Sequence, residues 1–226
     1  MKPENCPVIV CFAIDYEAAP FQKALRDRPF IDKTIRVLIT GVGAQETSDA
    51  LADAVVPGKT QFVVGTGFCG SLIDELSVGQ LVLDSKRSDK PAIEFAKESL
   101  EGAARPTVFT SNSEIVSGAD RKVLRKSSKA EVVEMEGDVT VDFCKRAKVP
   151  YLGLRIVTDT PLHELPAPPG VIQRAAENPL AMASWLALHP FAAGKVSGFA
   201  RTSDRCRHLL SSALLKLAFL WSATRT

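Results

Sequence analysis

The chain has 226 residues, 46% of them hydrophobic and 24% charged, enough apolar material for one globular domain with a continuous core. Its 28 basic side chains against 26 acidic ones leave a formal charge of +2, which offers nucleic acid or an acidic polymer no bulk electrostatic hold and points to a small molecule as the ligand. Cys6, Cys11, Cys69, Cys144 and Cys206 are odd in number and form no C-x-x-C pair, so buried thiols in a reducing, cytoplasmic compartment are expected rather than a disulfide framework.

Residues 8 to 14 form a continuous β-branched and apolar run. It follows Glu4 rather than a basic cluster and leads into Asp15 and Glu17 rather than a small-residue cleavage site, so it reads as a strand and not a signal peptide. Residues 17 to 26 change to helical spacing, with Phe21 and Leu25 four apart. The same change recurs at RVLITGVG followed by AQETSDALADAV. QFVVGTGFCG reads as a further strand ending in a glycine-rich turn, and PYLGLRIVTD as another strand. Strands without apolar/polar alternation are buried on both faces, which predicts an α/β fold: a three-layer sandwich with a central, largely parallel or mixed twisted sheet flanked by helices. Val139, Phe143 and Ala147 fall four apart, and Lys145, Arg146 and Lys148 gather where a helix dipole favours cations, predicting a helix over 137–147. PLHELPAPPG, from Pro161 to Gly170, can continue neither strand nor helix and is expected to be a surface loop bordering the site.

In open α/β sheets ligands bind beyond the carboxyl ends of the strands, so the informative residues lie where each apolar run stops. Those ends deliver Asp15 and Glu17, then Gly41-Val42-Gly43, then Gly65 to Gly70, then Thr158 and Asp159. Glu134-Met135-Glu136 lies between a valine pair and a helix, in apolar surroundings where an unpaired charge is costly. Glycine turns let main-chain N–H groups approach a ligand, while carboxylates accept sugar hydroxyl protons or move a proton. Each feature alone has a structural explanation as well: a tight strand-to-helix turn for GVGAQE, close packing for GTGFCG, a helix cap or turn for Asp159, a first-turn acid for Glu17. GVGAQE is no dinucleotide fingerprint, because Glu46 replaces the third glycine of G-x-G-x-x-G.

Taken together, the stretch VVEMEGDVTVDFCKRAKVPYLGLRIVTDT resembles the V-E-M-E, helix, V-P-[FY], strand, R-x-[IV]-[ST]-D signature of the nucleoside phosphorylase and nucleosidase superfamily. The hydrolytic branch of methylthioadenosine and S-adenosylhomocysteine nucleosidases is the most similar. GTGFCGSLIDELSVGQLVL and AIDYEAAPF are similar to two further motifs, so the resemblance runs from about residue 7 to about residue 160. It implies an enzyme without cofactor or metal that cuts the N-ribosidic bond of a purine, adenosine-type nucleoside. Glu136 would bind the ribose hydroxyls, Met135 pack on the sugar, Asp159 protonate N7 of the base with Thr158 beside it, and Glu17 activate water. Gly70 would lie along the nucleoside, and Phe68, Glu134 and Gly43 complete the candidate substrate-binding set. Two positions depart from the pattern: Phe68 stands where hydrolytic members carry a small or hydroxyl residue, and Gln80 replaces an aspartate. Phosphorylases with the same outline place an arginine just before the glycine turn; residues 61 to 70 contain no arginine or lysine, which favours water over phosphate as nucleophile. The alternatives are a nucleoside phosphorylase and a non-catalytic nucleoside binder. Superfamily members are usually oligomers, and a homodimer is expected.

The resemblance fades beyond residue 160. From Gly194 to Arg225 the chain is basic, and CRHLLSSALLKLAFLWSAT places Leu209, Leu210, Ala213, Leu214, Leu217, Leu220 and Trp221 on one broad face. That face suits a closing core helix, a dimer contact, or an amphipathic helix lying on the inner face of a membrane; it is too short and interrupted to span one. By composition the segment at about 195–226 also resembles the tail of hopanoid-associated superfamily members, which act on a nucleoside attached to a lipid. His163, His189 and His208 lack metal-ligand spacing, and neither H-E-x-x-H nor G-x-S-x-G is present.

Overall fold

A computed structural model describes residues 8–178 and 180–223; Glu4, Cys6 and Arg225 lie outside the described residues. The elements are β1 (Val8–Phe12), α1 (Asp15–Arg26), α2 (Pro29–Asp32), β2 (Ile35–Ile39), α3 (Ala44–Ala54), β3 (Phe62–Ser71), β4 (Leu81–Asp84), α4 (Lys90–Ser99), β5 (Ala104–Thr107) and β6 (Phe109–Ser111). They continue through α5 (Gly118–Ser128), β7 (Val132–Glu134), α6 (Gly137–Ala147), β8 (Tyr151–Asp159), α7 (Pro169–Glu177), α8 (Leu180–Leu188), a short 3-10 turn (Pro190–Ala192) and α9 (Ala193–Ala223).

The fold is α/β with a mixed eight-stranded sheet. Its main path runs β2-β1-β3-β8-β4-β5, with β7 pairing β3 and β6 pairing β7. The β2, β1, β3 and β8 strands are parallel, whereas β4 meets β8, and β7 meets β3, antiparallel. In β1 the side chains of Val8, Val10 and Phe12 enter one core with α1, α4 and α9, while Ile9 and Cys11 enter another with α3 and α6. Both faces of the strand are therefore apolar, which is why its sequence does not alternate. Every residue of β8 is buried. Cys11, Cys69, Cys144 and Cys206 are buried free thiols.

One expectation is corrected, and one set of alternatives is decided. The glycine-rich GTGFCG is not a turn: it lies inside the ten-residue β3, and its glycines admit other side chains instead. A Cβ on Gly65 would come within 2.7 Å of the Tyr151 hydroxyl, so that ring occupies the space above the strand. The apolar face of the last helix is committed to the core. Leu210, Ala213, Leu214 and Leu217 pack with α1 and the sheet, and Trp221 stacks on Phe95 with ring centroids 5.7 Å apart. That face is not free to lie on a membrane.

The α1–α9 contact has a local cause. Pro20 stands inside α1 and has no N–H to give the carbonyl of Tyr16 one turn back. Arg207 of α9 donates to that oxygen at 3.2 Å and lays its guanidinium over the Tyr16 ring. The helix defect becomes a docking point beside the site.

Candidate active site

The carboxyl ends of β1, β3 and β8 and the β7–α6 junction open into one cavity of about 660 Å3, within the usual range of ligand sites. Glu17, Phe68, Gly70, Glu134, Met135, Glu136, Thr158 and Asp159 all line it. Gly43 reaches it through its main chain, donating to Glu136 Oε1 at 3.3 Å. Asp15 is exposed and does not line the cavity. One sheet edge thus gathers residues that are up to 142 positions apart, from Glu17 to Asp159.

Glu17 sits in the first turn of α1 and is buried. Its Oε1 accepts the Phe68 N–H at 3.0 Å, while Oε2 has no hydrogen-bond partner. Burial pushes this carboxyl up to about 7, against the opposing pull of the Phe68 N–H and Arg155. A carboxylate balanced at neutral pH with one open acceptor can take a proton from water.

Glu134 and Glu136 are adjacent in sequence pattern but differ in surroundings. Glu134 is enclosed: its Oε2 accepts the N–H groups of Glu136 and Gly137, at 3.1 and 2.7 Å, and Arg155 Nη2 at 2.8 Å. Its Oε1 accepts Arg87 at 3.1 Å and the Ser111 hydroxyl. The two guanidiniums overcome burial and hold this carboxyl below its ordinary value. Its acceptors face protein, so it positions the turn that carries Glu136. Glu136 has only the Gly43 contact from another residue's main chain and is raised, chiefly by burial. Its carboxylate is the one left open to the cavity.

Asp159 ends β8 opposite Gly70, where the β3–β8 register shifts between Cys69 and Gly70. Such irregularities re-aim side chains at strand ends. Thr158 Oγ1 donates to Asp159 Oδ1 at 2.9 Å, and the guanidinium of Arg121 pairs with Oδ2. Burial raises the Asp159 carboxyl, and Arg121 opposes it. Arg121 comes from α5 and is itself 1% exposed. It also donates to the Ser71 carbonyl at 2.6 Å.

Three arginines, the buried Arg121 and Arg155 and the partly buried Arg87, therefore stand behind the carboxylates. The glycines of the site make room for them. A Cβ on Gly67 would lie 2.9 Å from Arg155 and 2.7 Å from Glu17; on Gly70, 3.2 Å from Arg121 and 2.9 Å from Asp159; on Gly137, 2.7 Å from Arg87. Nothing in the sequence around Arg87 or Arg121 signals this. Both sit in polar stretches that read as solvated surface, and only the glycines, which need a reason to lack a Cβ, hint at bulky neighbours.

The far end of the cavity is different in kind. Residues of α7, α8, α9 and the preceding loop, among them Leu165, Ile172, Met182, Leu186, Val196 and Phe199, line it with apolar surface. The proline-rich segment borders the site through Leu165 and Pro166, but its last two residues, Pro169 and Gly170, open α7, where a first-turn proline lacks only an N–H that the helix leaves unpaired. Among the described residues no three His, Cys, Asp or Glu side chains are grouped to hold a metal ion.

The chain is similar to the aminodeoxyfutalosine nucleosidase of Helicobacter pylori, at 25% identity over 194 residues covering 70% of this chain and 82% of that protein. It is similar also to the 5′-methylthioadenosine/S-adenosylhomocysteine nucleosidase of Shewanella loihica, at 22% identity over 165 residues covering 59% and 72%. The crystal structure of the Campylobacter jejuni 5′-methylthioadenosine/S-adenosylhomocysteine nucleosidase shares the fold with a TM-score of 0.70 at 14% identity, covering 94% of this chain and 98% of that one. The Arabidopsis thaliana 5′-methylthioadenosine nucleosidase does so with a TM-score of 0.67 at 15% identity, covering 98% and 97%. No protein-family model matches the chain.

Proposed function

We propose that this chain, an enzyme of the nucleoside phosphorylase/nucleosidase superfamily, hydrolyses the N-ribosidic bond of an adenosine-type purine nucleoside whose 5′ position carries an apolar substituent. The observation that carries this reading is that one cavity is lined both by the carboxylates of the strand ends and by apolar side chains of α7, α8 and α9.

Breaking the C1′–N9 bond builds positive charge on the ribose ring and negative charge on the leaving base. Glu136, with its open oxygens, accepts from the ribose hydroxyls and stabilises the sugar cation, each such charged hydrogen bond contributing about 1.5 to 3 kcal/mol. Met135 packs against the sugar. Asp159 gives its proton to N7. Burial raises the Asp159 carboxyl and so favours its protonated form, while Arg121 opposes that rise and stabilises the carboxylate left behind. Glu17 takes a proton from the water whose oxygen bonds to C1′, and returns it to solvent after the base departs. Ribose and free base are the products.

Water is favoured over phosphate by charge. Among the described residues Arg155 is the one guanidinium lining the cavity, and it is held by Glu134 and the Thr66 carbonyl, with Glu17 and Glu136 close by. A phosphate dianion would meet more carboxylates than free donors. The apolar lining supports a 5′ substituent larger and less polar than a hydroxyl, with Phe68 contributing to that lining. The four buried free thiols support a reducing, cytoplasmic setting.

One assay decides among the readings. The protein is incubated with adenosine-type nucleosides bearing 5′ groups of increasing apolar length, with and without phosphate. Free adenine plus free sugar in both conditions is expected, with kcat/KM rising with 5′ length. Sugar 1-phosphate formed only with phosphate would make the chain a phosphorylase, and intact nucleoside in every tube would make it a binder.

A further inference from the structure

Helix α8, LAMASWLAL, is apolar on all sides yet contains no buried residue. A helix of that composition in water should be covered. Its inner face, Met182, Ala183 and Leu186, lines the cavity. Its outer face, Leu180, Ser184 and Leu188, repeats every four residues, and Leu180 and Leu188 are 70% and 80% exposed. The 3-10 turn that follows carries Phe191, which is 100% exposed. Trp185 stacks on His189 between the two, with centroids 4.5 Å apart, an arrangement suited to a boundary between apolar and wet surroundings.

The charges nearby identify the partner. From Leu180 to Asp204 the chain carries Lys195 and Arg201 and one carboxylate, Asp204, which pairs with Arg207. Both cations are exposed, as is Arg205 in the next turn of α9. A second copy meeting this patch through a two-fold axis would set cations against cations, and the one carboxylate among them, Asp204, is already engaged by Arg207. An anionic lipid surface complements both features, taking the apolar side chains into its headgroup boundary and pairing phosphates with the cations. No helix among the described residues is long and apolar enough to cross a membrane, so the contact is peripheral.

The structure assigns to α8 and the Pro190–Ala192 turn the role of a docking surface for an anionic phospholipid bilayer, placed so that the apolar end of the cavity faces the membrane across a single helix. Docking itself does not depend on the reaction. That it delivers a membrane-borne nucleoside to Glu136 and Asp159 rests on the proposed function. The surface differs from the apolar face of α9, which is core.

The test uses the full chain in co-sedimentation with vesicles of phosphatidylcholine alone and of phosphatidylcholine mixed with phosphatidylglycerol. Binding to the mixed vesicles is expected. The pair Leu188→Glu and Phe191→Glu should reduce it at least about tenfold, since each deletes a fully apolar contact with the lipid. Lys195→Glu or Arg201→Glu should each reduce it about fivefold at low salt, the factor for about 1 kcal/mol per cation near an anionic surface. None of these residues lines the cavity, so cleavage of a water-soluble nucleoside should be unchanged, which also shows that the variants fold. In a Trp221→Phe background, Trp185 is the remaining tryptophan, and its emission should shift to the blue on vesicles. Equal sedimentation of wild type and the Leu188/Phe191 pair would overturn the proposal. So would a dimer in sedimentation velocity that the same pair dissolves, which would make the patch a subunit contact. Vesicle binding by a chain that cleaves no nucleoside would leave docking standing and remove the proposed reaction; cleavage without vesicle binding would do the reverse.

Discussion

The two ends of the cavity hold their ligand-facing groups by opposite means. At the carboxylate end, two of the acids are fixed by several partners each: Glu134 by two main-chain N–H groups and two arginines, Asp159 by Thr158 and Arg121, with glycines clearing the space. At the far end, α7, α8 and α9 offer apolar side chains and little else. The first arrangement is rigid because a buried charge displaced from its partner is costly. The second relies on non-directional contacts that accommodate different shapes. On the proposed function, chemistry belongs at the ordered end and substrate choice at the adaptable one.

The largest expected effect breaks the ordered end. Asp159→Asn and Glu136→Gln should each lower kcat at least about a hundredfold, within the range for removal of a general acid or a transition-state contact, with circular dichroism unchanged. Near wild-type turnover in both would remove the roles given to them.

Next comes the support behind that end. Arg121→Met leaves Asp159 buried without its ion pair, and breaking such a pair costs about 3 to 5 kcal/mol, read as a lower midpoint in urea. Because Arg121 pulls the Asp159 carboxyl down, its removal raises that value, so activity that needs protonated Asp159 should persist to higher pH. A pH profile identical to wild type would mean that Arg121 acts on packing alone.

Glu17 separates the two ends by pH. Its carboxyl lies near 7 in the folded chain against an ordinary 4.5, so folding favours the neutral form. Its contribution to stability is fully present below about 4.5 and lost as pH rises through about 7, a change on the order of 3 kcal/mol. Catalysis runs the other way, since the base must be ionised: kcat/KM should climb with pH through about 7. Glu17→Gln should remove the climb and flatten the stability curve, as thermal unfolding at several pH values would show.

The smallest effect belongs to the apolar end. Leu186→Asp should raise KM for a nucleoside with a long apolar 5′ group by about tenfold or more, the loss of one buried leucine contact of about 1.5 to 3 kcal/mol, while kcat for a short 5′ group stays the same. Equal KM changes for both substrates would place the 5′ group elsewhere.

Much of the carboxylate end was legible in the chain itself. The continuous apolar runs announce strands buried on both faces, the four-residue spacing announces α6 at its observed bounds, and the strand ends deliver Glu17, Glu136 and Asp159 to one edge of the sheet. Local periodicity and the geometry of parallel sheets suffice for that. The segment QFVVGTGFCG was legible only as to its small residues: glycines read as a turn when the neighbours that require them are unknown. Arg121 and Arg87 were not legible, because an arginine in a polar stretch has the same local pattern whether it points to water or to a carboxylate many residues away. The last helix shows the same limit. Its apolar stripe determined that it must be covered, and only the tertiary structure decided that α1, α4 and the sheet cover it while the unmarked helix before it stays bare. Periodicity records which face avoids water; what covers that face depends on contacts made across the whole chain.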